Sequence, residues 1–401
     1  MMQKDLPGPG PGARPRPNPA FRITGPVAVA AALALALLAT ALGGARAAPA
    51  VLEGDFASAI VIDAETGMTL VAVNERAKRQ PASMVKMMTE LIVLERLQKG
   101  DLSMAEPVRV SALASRMGGS QVYLAHNEEF PLEELLHALA IHSANDAAQA
   151  LAEHVAGSSD AFIDLMNLRA TELGMTDTVF RTVHGLPPAS KQEPDLTSAR
   201  DMAILGRELI RHPEALEWAS TATMPFRDGK FTLYNPNKLV GKYRGLDGIK
   251  TGYTVPAGFC VTASAVQMGK RLISVVMGCP SDKVRANETT RLLTYGFNLF
   301  IQVPVLAGDG QPLDALVAVK GGKVKEAPVA AGAELVVSVP RDRTGDVVVE
   351  YRLQDDAAAP LTAGTEVGHA VALLDGIELG RVPVVLAQDV VKGNWLDRLF
   401  R

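Results

Sequence analysis

Residues 81–95 read PASMVKMMTELIVLE, and the rest of the chain is built around this stretch. Met84, Val85, Met87, Met88, Leu91, Ile92 and Leu94 give a helix a broad apolar surface, and Gly100 after Lys99 is its stop. Ser83 and Lys86 stand three residues apart near its start, a spacing that puts both side chains on one face. A lysine held in apolar surroundings loses its charge more readily and can then take the proton of the neighbouring hydroxyl. The amide N–H groups of a first helical turn have no intrahelical partner, so negative charge developing beside Ser83 meets donors there. Taken singly, a Ser-x-x-Lys pair is weak, because a capping serine followed by a solvated lysine has the same spelling.

With 401 residues, 48% hydrophobic and 21% charged, the chain has material for two folded units and tails. The net charge of −4 and the lack of a basic face argue against a nucleic-acid partner. Residues 1–47 have an export pattern: a basic, Pro/Gly-rich start, an uncharged Ala/Leu run over residues 27–42, then the small residues of Ala45-Arg46-Ala47. They are taken as a cleaved signal, the apolar run being short for a membrane span. The expected location is therefore periplasmic, outside the cytoplasmic membrane.

Residues 58–63 and 69–73 alternate as strands, and residues 131–142, 146–155, 161–173, 198–211 and 287–300 read as helices, with Thr197 or Ser198 as a cap. Asp228-Gly229 marks a hairpin between residues 224–227 and 230–233. Two more strands lie over residues 258–265 and 271–277, joined by a turn at residues 267–270. Folding that hairpin about Gly269 and Lys270 sets Cys260 opposite Cys279, either as a disulfide or as two half-buried thiols. From residue 303 short valine-rich runs alternate with Gly, Asp and Pro turns, the texture of a separate all-β unit. The expected division is a signal at 1–47, a catalytic domain at 48–302, a β domain at 303–390 and a short amphipathic tail at 391–401.

Two further motifs follow Ser83 and Lys86 in order. Ser143-Ala144-Asn145 falls at the junction of two helices, and Lys250-Thr251-Gly252 opens the strand leading to Cys260. On helix, loop and strand, these three match the active-site serine set of penicillin-recognising enzymes. Ser83 is the candidate nucleophile, Lys86 its general base, and Ser143 a relay for the departing amine. Asn145 suits a substrate amide, Lys250 supplies positive charge, Thr251 can bond a terminal carboxylate, and Gly252 leaves a strand edge open. The backbone N–H groups of Ser83 and Tyr253 are the candidate oxyanion donors.

Over residues 56–386 the chain resembles the low-molecular-mass penicillin-binding proteins that act as serine-type D-alanyl-D-alanine carboxypeptidases. His184-Gly185-Leu186, the run TSARDMA at residues 197–203 and GLDGIKTGYT at residues 245–254 carry the likeness beyond the three motifs. The resemblance implies an α/β transpeptidase-like domain, an antiparallel sheet flanked by helices, followed by a β-sandwich-like domain. It also implies removal of the terminal D-alanine from peptidoglycan stem peptides without cofactor or metal, acylation of Ser83 by beta-lactams, and a weak membrane contact through the C-terminal tail. The histidine of the His-Gly-Leu run is expected to order the loop around Gly185.

Two departures stand out. The tail after Asn394 is only about two helical turns long, and Pro236 precedes Asn237 where some members have an arginine, leaving the substrate carboxylate to Lys250, Thr251 or Arg244. The rival readings are a class A beta-lactamase with Glu193 as deacylating base, and a catalytically silent cell-wall sensor. Thr197 where such lactamases have asparagine, about 100 residues beyond Phe300, and an intact motif set weigh against them. The seven histidines show no His-Glu-x-x-His, which argues against a metallopeptidase.

Overall fold

The computed structural model describes residues 52–188, 192–308, 310–355 and 357–394. The export pattern at 1–47 and most of the amphipathic tail, residues 395–401, lie outside these residues.

Strands β1 (Ser58–Asp63) and β2 (Thr69–Val73) pair antiparallel and lead to a 3-10 turn, Ala82–Val85. Helix α1 (Lys86–Lys99) follows and stops at Gly100, whose φ of 78° is left-handed, as its sequence demands. The helix thus starts later than the apolar run promises. Ala82 has φ 49°, outside the right-handed helical region, so the chain turns sharply into the 3-10 turn carrying Ser83, which runs on through right-handed Val85 and Lys86 into α1. A short ladder of β3 (Pro107–Arg109) and β4 (Glu129–Pro131) precedes α2 (Leu132–Ala140), α3 (Asn145–Ala156) and α4 (Ser159–Glu172). In α5 (Ala199–Leu209) Ser198 is the cap, its hydroxyl accepting from the amide of Asp201. Helix α6 (Pro213–Ser220), with proline at its start, is an addition to the sequence reading.

The hairpin of β5 (Thr223–Phe226) and β6 (Phe231–Tyr234) turns through four residues instead of two, with Arg227, Asp228 and Gly229 all at positive φ. Then come β7 (Leu246–Thr254), β8 (Gly258–Gln267), β9 (Lys270–Cys279) and α7 (Asp282–Asn298). The sheet order is β2-β1-β9-β8-β7, with every neighbouring pair antiparallel and β7 at the edge. One face (Ile60, Ile62, Ile273, Val275, Met277) buries against Met84, Met87, Met88 and Leu91. The other (Val61, Val71, Leu272, Val276) buries against Leu292, Leu293 and Phe297 of α7. Each such side chain contributes about 1.5–3 kcal/mol on burial.

The β8–β9 hairpin corrects the cysteine pairing. Gln267 pairs with Lys270, so the turn is Met268-Gly269, both at positive φ, one residue earlier than the composition indicates. A bulge after Phe259 then places Phe259, not Cys260, opposite Cys279. Cys260 packs in the cluster with α1 and Cys279 in the cluster with α7, and both are buried free thiols.

Beyond α7 the described residues are β strands with one 3-10 turn at Thr344–Asp346: β10 (Phe300–Leu306), β11 (Pro312–Lys320), β12 (Glu326–Ala331), β13 (Leu335–Pro340), β14 (Val348–Leu353), β15 (Ala357–Ala358), β16 (Glu366–Leu374) and β17 (Ile377–Leu386). They form a six-stranded sheet of order β14-β16-β17-β12-β11-β15 and a β10–β13 pair, closed over Val317, Val329, Val337, Val339 and Val384. The fold class is therefore an α/β unit with an antiparallel sheet flanked by helices, followed by a smaller β unit. At their junction Gln302 Nε2 and Ser338 Oγ donate to the Met268 carbonyl at 3.3 and 2.5 Å.

Candidate active site

Three elements bring the predicted residues together beside β7. Ser83 lies on the 3-10 turn, Ser143 between α2 and α3 with φ 64°, and Lys250, Thr251, Gly252 and Tyr253 on the edge strand. Lys86, fully buried, places its Nζ 3.1 Å from Ser83 Oγ, 2.6 Å from Asn145 Oδ1 and 2.8 Å from the carbonyl of His184. All three contacts of the Lys86 amine are thus with uncharged groups. Burial, then the charge of Lys250, holds Lys86 well below the usual lysine range, while Asp146 and Asp195 pull the other way. Lys250 donates to Ser143 Oγ at 2.7 Å and to the Thr251 carbonyl at 3.2 Å. Burial lowers it to about 7, with Glu90 opposing and Arg285 assisting.

Asn145 does something its motif does not spell out. Its carbonyl oxygen takes Lys86, while its Nδ2 donates to the Gly118 carbonyl at 2.6 Å and its backbone N–H to the Ser120 carbonyl at 2.7 Å. Much of its capacity is spent inside the protein, orienting the lysine. Asp146, next in sequence, accepts from the amides of Val122 and Leu124 at 3.0 and 3.1 Å, so residues 118–124 are fastened to the start of α3.

Two glycines set how closely the nucleophile's turn approaches its surroundings. A Cβ on Gly252 would stand 2.6 Å from the Pro81 carbonyl oxygen and 3.2 Å from the Ser83 amide nitrogen, so Gly252 lets the turn pack on the strand. Gly185, at φ 79°, would carry a Cβ only 2.0 Å from the Ala82 carbonyl oxygen. Gly185→Ala is therefore expected to displace the turn, to cost about 2–4 kcal/mol in thermal or denaturant unfolding, and to slow penicillin acylation by at least about 100-fold. Wild-type values on both measurements would show that the loop yields without cost.

His184 orders the loop around Gly185, since its Nδ1 accepts from the Leu186 amide at 3.1 Å and its carbonyl holds Lys86. That carbonyl and the one at Gly118 are site members that sequence reasoning missed, since backbone groups leave no residue-type signal. Tyr253 is half exposed and stacks on Phe259 at 4.1 Å. Arg244 stands six residues before Lys250, beside the β8–β9 turn, with its carbonyl held by Gln267, so it lies along the sheet from the cluster. Glu193, the rival deacylating base, is 75% exposed and paired with Arg181. Among the described residues no group of His, Cys, Asp or Glu is placed to hold a metal ion.

The profile of the D-alanyl-D-alanine carboxypeptidase family matches residues 45–281, and that of the penicillin-binding protein 5 C-terminal domain matches residues 304–392. The chain is 36% identical to the D-alanyl-D-alanine carboxypeptidase DacF of Bacillus subtilis over 86% of its length and 88% of the relative's. Against DacC of Escherichia coli the identity is 34%, over 85% and 86% of the two chains. Among solved structures, penicillin-binding protein 5 of Haemophilus influenzae aligns with a TM-score of 0.61 at 31% identity, covering 85% of this chain and 99% of that one. Penicillin-binding protein D2 of Listeria monocytogenes, solved with bound ampicillin, aligns with a TM-score of 0.57 at 32% identity over 61% of this chain and 98% of its own. With the motif residues gathered in one cluster and both family profiles matched in order, this chain belongs to the serine-type D-alanyl-D-alanine carboxypeptidases, the low-molecular-mass penicillin-binding proteins.

Proposed function

We propose that Ser83 is the nucleophile of this carboxypeptidase and Lys86 its base, acting on the bond between the last two D-alanines of a peptidoglycan stem. The observation that carries this is the 3.1 Å Lys86–Ser83 contact with the other two contacts of the amine occupied by Asn145 and His184. A neutral amine has two N–H groups and one lone pair. With both N–H groups held, the lone pair points at the hydroxyl. Ser83 Oγ attacks the carbonyl carbon as its proton passes to Lys86, and the N–H groups of Ser83 and Tyr253 take the oxyanion. When the C–N bond breaks, Ser143 gives its proton to the leaving amine and is resupplied from the Lys250 side, matching their 2.7 Å contact. Lys86 releases that first proton, which makes good the one Ser143 and Lys250 gave up; water then cleaves the ester, Lys86 taking the proton of the water and returning it to the departing Ser83 oxygen. A beta-lactam follows the first half of this course, its ring amide opening onto Ser83.

Lys250 and Thr251 face the terminal carboxylate in this reading, which accounts for the absence of an arginine ahead of Asn237. Release of D-alanine from diacetyl-Lys-D-Ala-D-Ala is the direct test. Its C-terminal amide is expected to react about 100-fold more slowly in kcat/KM, and equal turnover of acid and amide would remove Lys250 and Thr251 from carboxylate binding. The pH dependence has a definite sign. Burial holds Lys86 well below the usual lysine range, so the base is freed at lower pH than an exposed lysine, and the rate falls as pH rises past about 7, where Lys250 loses its charge. Acylation by benzylpenicillin followed across that range reads the limb directly, and a rate still climbing above it would contradict the assignment.

The export pattern at 1–47 supports work in the periplasm, with the β unit over 303–390 as a stand-off from the membrane and the tail at 391–401 as a weak surface contact. Among the described residues no helix is long and apolar enough to cross a membrane.

A further inference from the structure

Ser143 is held at φ 64°, in the left-handed region that a residue with a side chain seldom adopts unless its surroundings impose it. On its C-terminal side the chain is pinned twice. The Ala144 amide donates to the Ala138 carbonyl at 3.0 Å, and the Asn145 amide to the Ser120 carbonyl at 2.7 Å.

On its N-terminal side stands His142, half-buried and anchored at both ends. Its backbone carbonyl accepts from Ser120 Oγ at 2.8 Å, while its ring reaches across to the β5–β6 hairpin. There Nδ1 accepts from the Tyr234 amide at 3.1 Å, and the ring stands edge-on to Phe231, with centroids 5.4 Å apart. The hairpin is itself well fastened. Phe231 meets Phe226 edge-on, Phe226 stacks on Phe130 of β4 at 5.5 Å, and Arg227 pairs with Glu128 at 2.7 Å. A leucine at position 142 could fill the space against Phe231, but it would offer the Tyr234 amide no acceptor. Accepting at Nδ1 requires that nitrogen to be free of its proton. Burial holds the ring below the usual histidine range, against Tyr234 and Asp146, and Lys250 assists.

We propose that His142 is a positioning residue for proton delivery. By accepting the Tyr234 amide it ties the β5–β6 hairpin to the backbone of Ser143 and holds Ser143 Oγ, 2.7 Å from Lys250 Nζ, where it can protonate the leaving nitrogen. The inference rests on the role given above to Ser143 and concerns one step. As the C–N bond breaks, the Ser143 O–H bond breaks and an N–H bond forms, and Oγ regains a proton from the Lys250 side. An amine must be protonated to depart, whereas a thiolate leaves without a proton, so the effect of His142 should depend on the leaving group.

The test compares kcat/KM of the full chain on diacetyl-Lys-D-Ala-D-Ala and on the thiolester in which thioglycolate replaces the last D-alanine. Both end in a carboxylate, so the difference lies in the leaving group. His142→Phe keeps a ring against Phe231 and lacks the acceptor, whereas His142→Asn keeps an acceptor at the δ position and lacks the ring. In His142→Phe the peptide is expected to react about 30-fold more slowly and the thiolester less than about threefold more slowly. His142→Asn is expected to recover the peptide to within about fivefold of wild type. A loss shared equally by the two substrates, an equal loss in His142→Phe and His142→Asn, or wild-type rates in both variants overturns the inference. Ser143→Ala, measured beside them, tells its failure from that of the underlying role. If Ser143→Ala slows the peptide selectively, the role of Ser143 stands whatever the His142 variants do; if it slows both substrates alike, that role fails and the inference with it. Should His142→Phe fail to fold, His142→Ala also lacks the acceptor, and the same selective loss is expected of it.

Discussion

Ser83→Ala is expected to take up no covalent benzylpenicillin in an intact-mass measurement that shows one adduct per chain for wild type. The hydroxyl supplies the bond-forming oxygen, so no neighbouring group replaces it, and the loss in D-alanine release is expected to reach about 10⁴–10⁶-fold. The side chain is half-buried and its hydroxyl meets the lysine it would give its proton to. The fold therefore keeps nearly all its stability, with thermal unfolding within about 1 kcal/mol of wild type. An adduct of unchanged yield in the variant would place the nucleophile elsewhere.

Lys86→Gln is expected to lower acylation by about 10³–10⁴-fold while leaving substrate affinity closer to wild type. The amide can still donate toward Asn145 Oδ1 or the His184 carbonyl, the two groups Lys86 now holds at 2.6 and 2.8 Å, but it is not a base. Removing a fully buried amine also removes a desolvation cost, which offsets the lost hydrogen bond. Activity and stability should thus separate: a large fall in acylation rate with a small change in melting. A rate within about tenfold of wild type would mean that another group takes the proton.

The candidate site residues were legible because the proposed chemistry demands residue types at spacings the secondary structure can deliver. Ser83 and Lys86 meet because three residues close one turn, whether that turn is α or 3-10. Alternation exposed the strands, and the valine-rich runs after residue 303 exposed the β unit. What sequence reading missed lay in backbone geometry and long-range pairing. Nothing in the letters shows that Met268 adopts φ 51°, yet that choice moves the hairpin register and takes Cys260 away from Cys279. Gly252 read as an open strand edge, and the letters do not show that its missing Cβ also makes room for the Pro81 carbonyl and the Ser83 amide. Nothing in the letters singles out Glu90, whose burial only the fold reveals.

The Met268 carbonyl, gripped by Gln302 and Ser338, fastens the β unit to the tip of the β8–β9 hairpin. Thr262, the β8 partner of Lys250, lies six residues from that tip, roughly 20 Å along an extended strand. The pedestal thus grips the sheet at the end of β8 remote from Lys250. A pedestal of another length joined at the same carbonyl would therefore carry the whole catalytic sheet with it and leave the spacing of Ser83, Lys86 and Lys250 as it is.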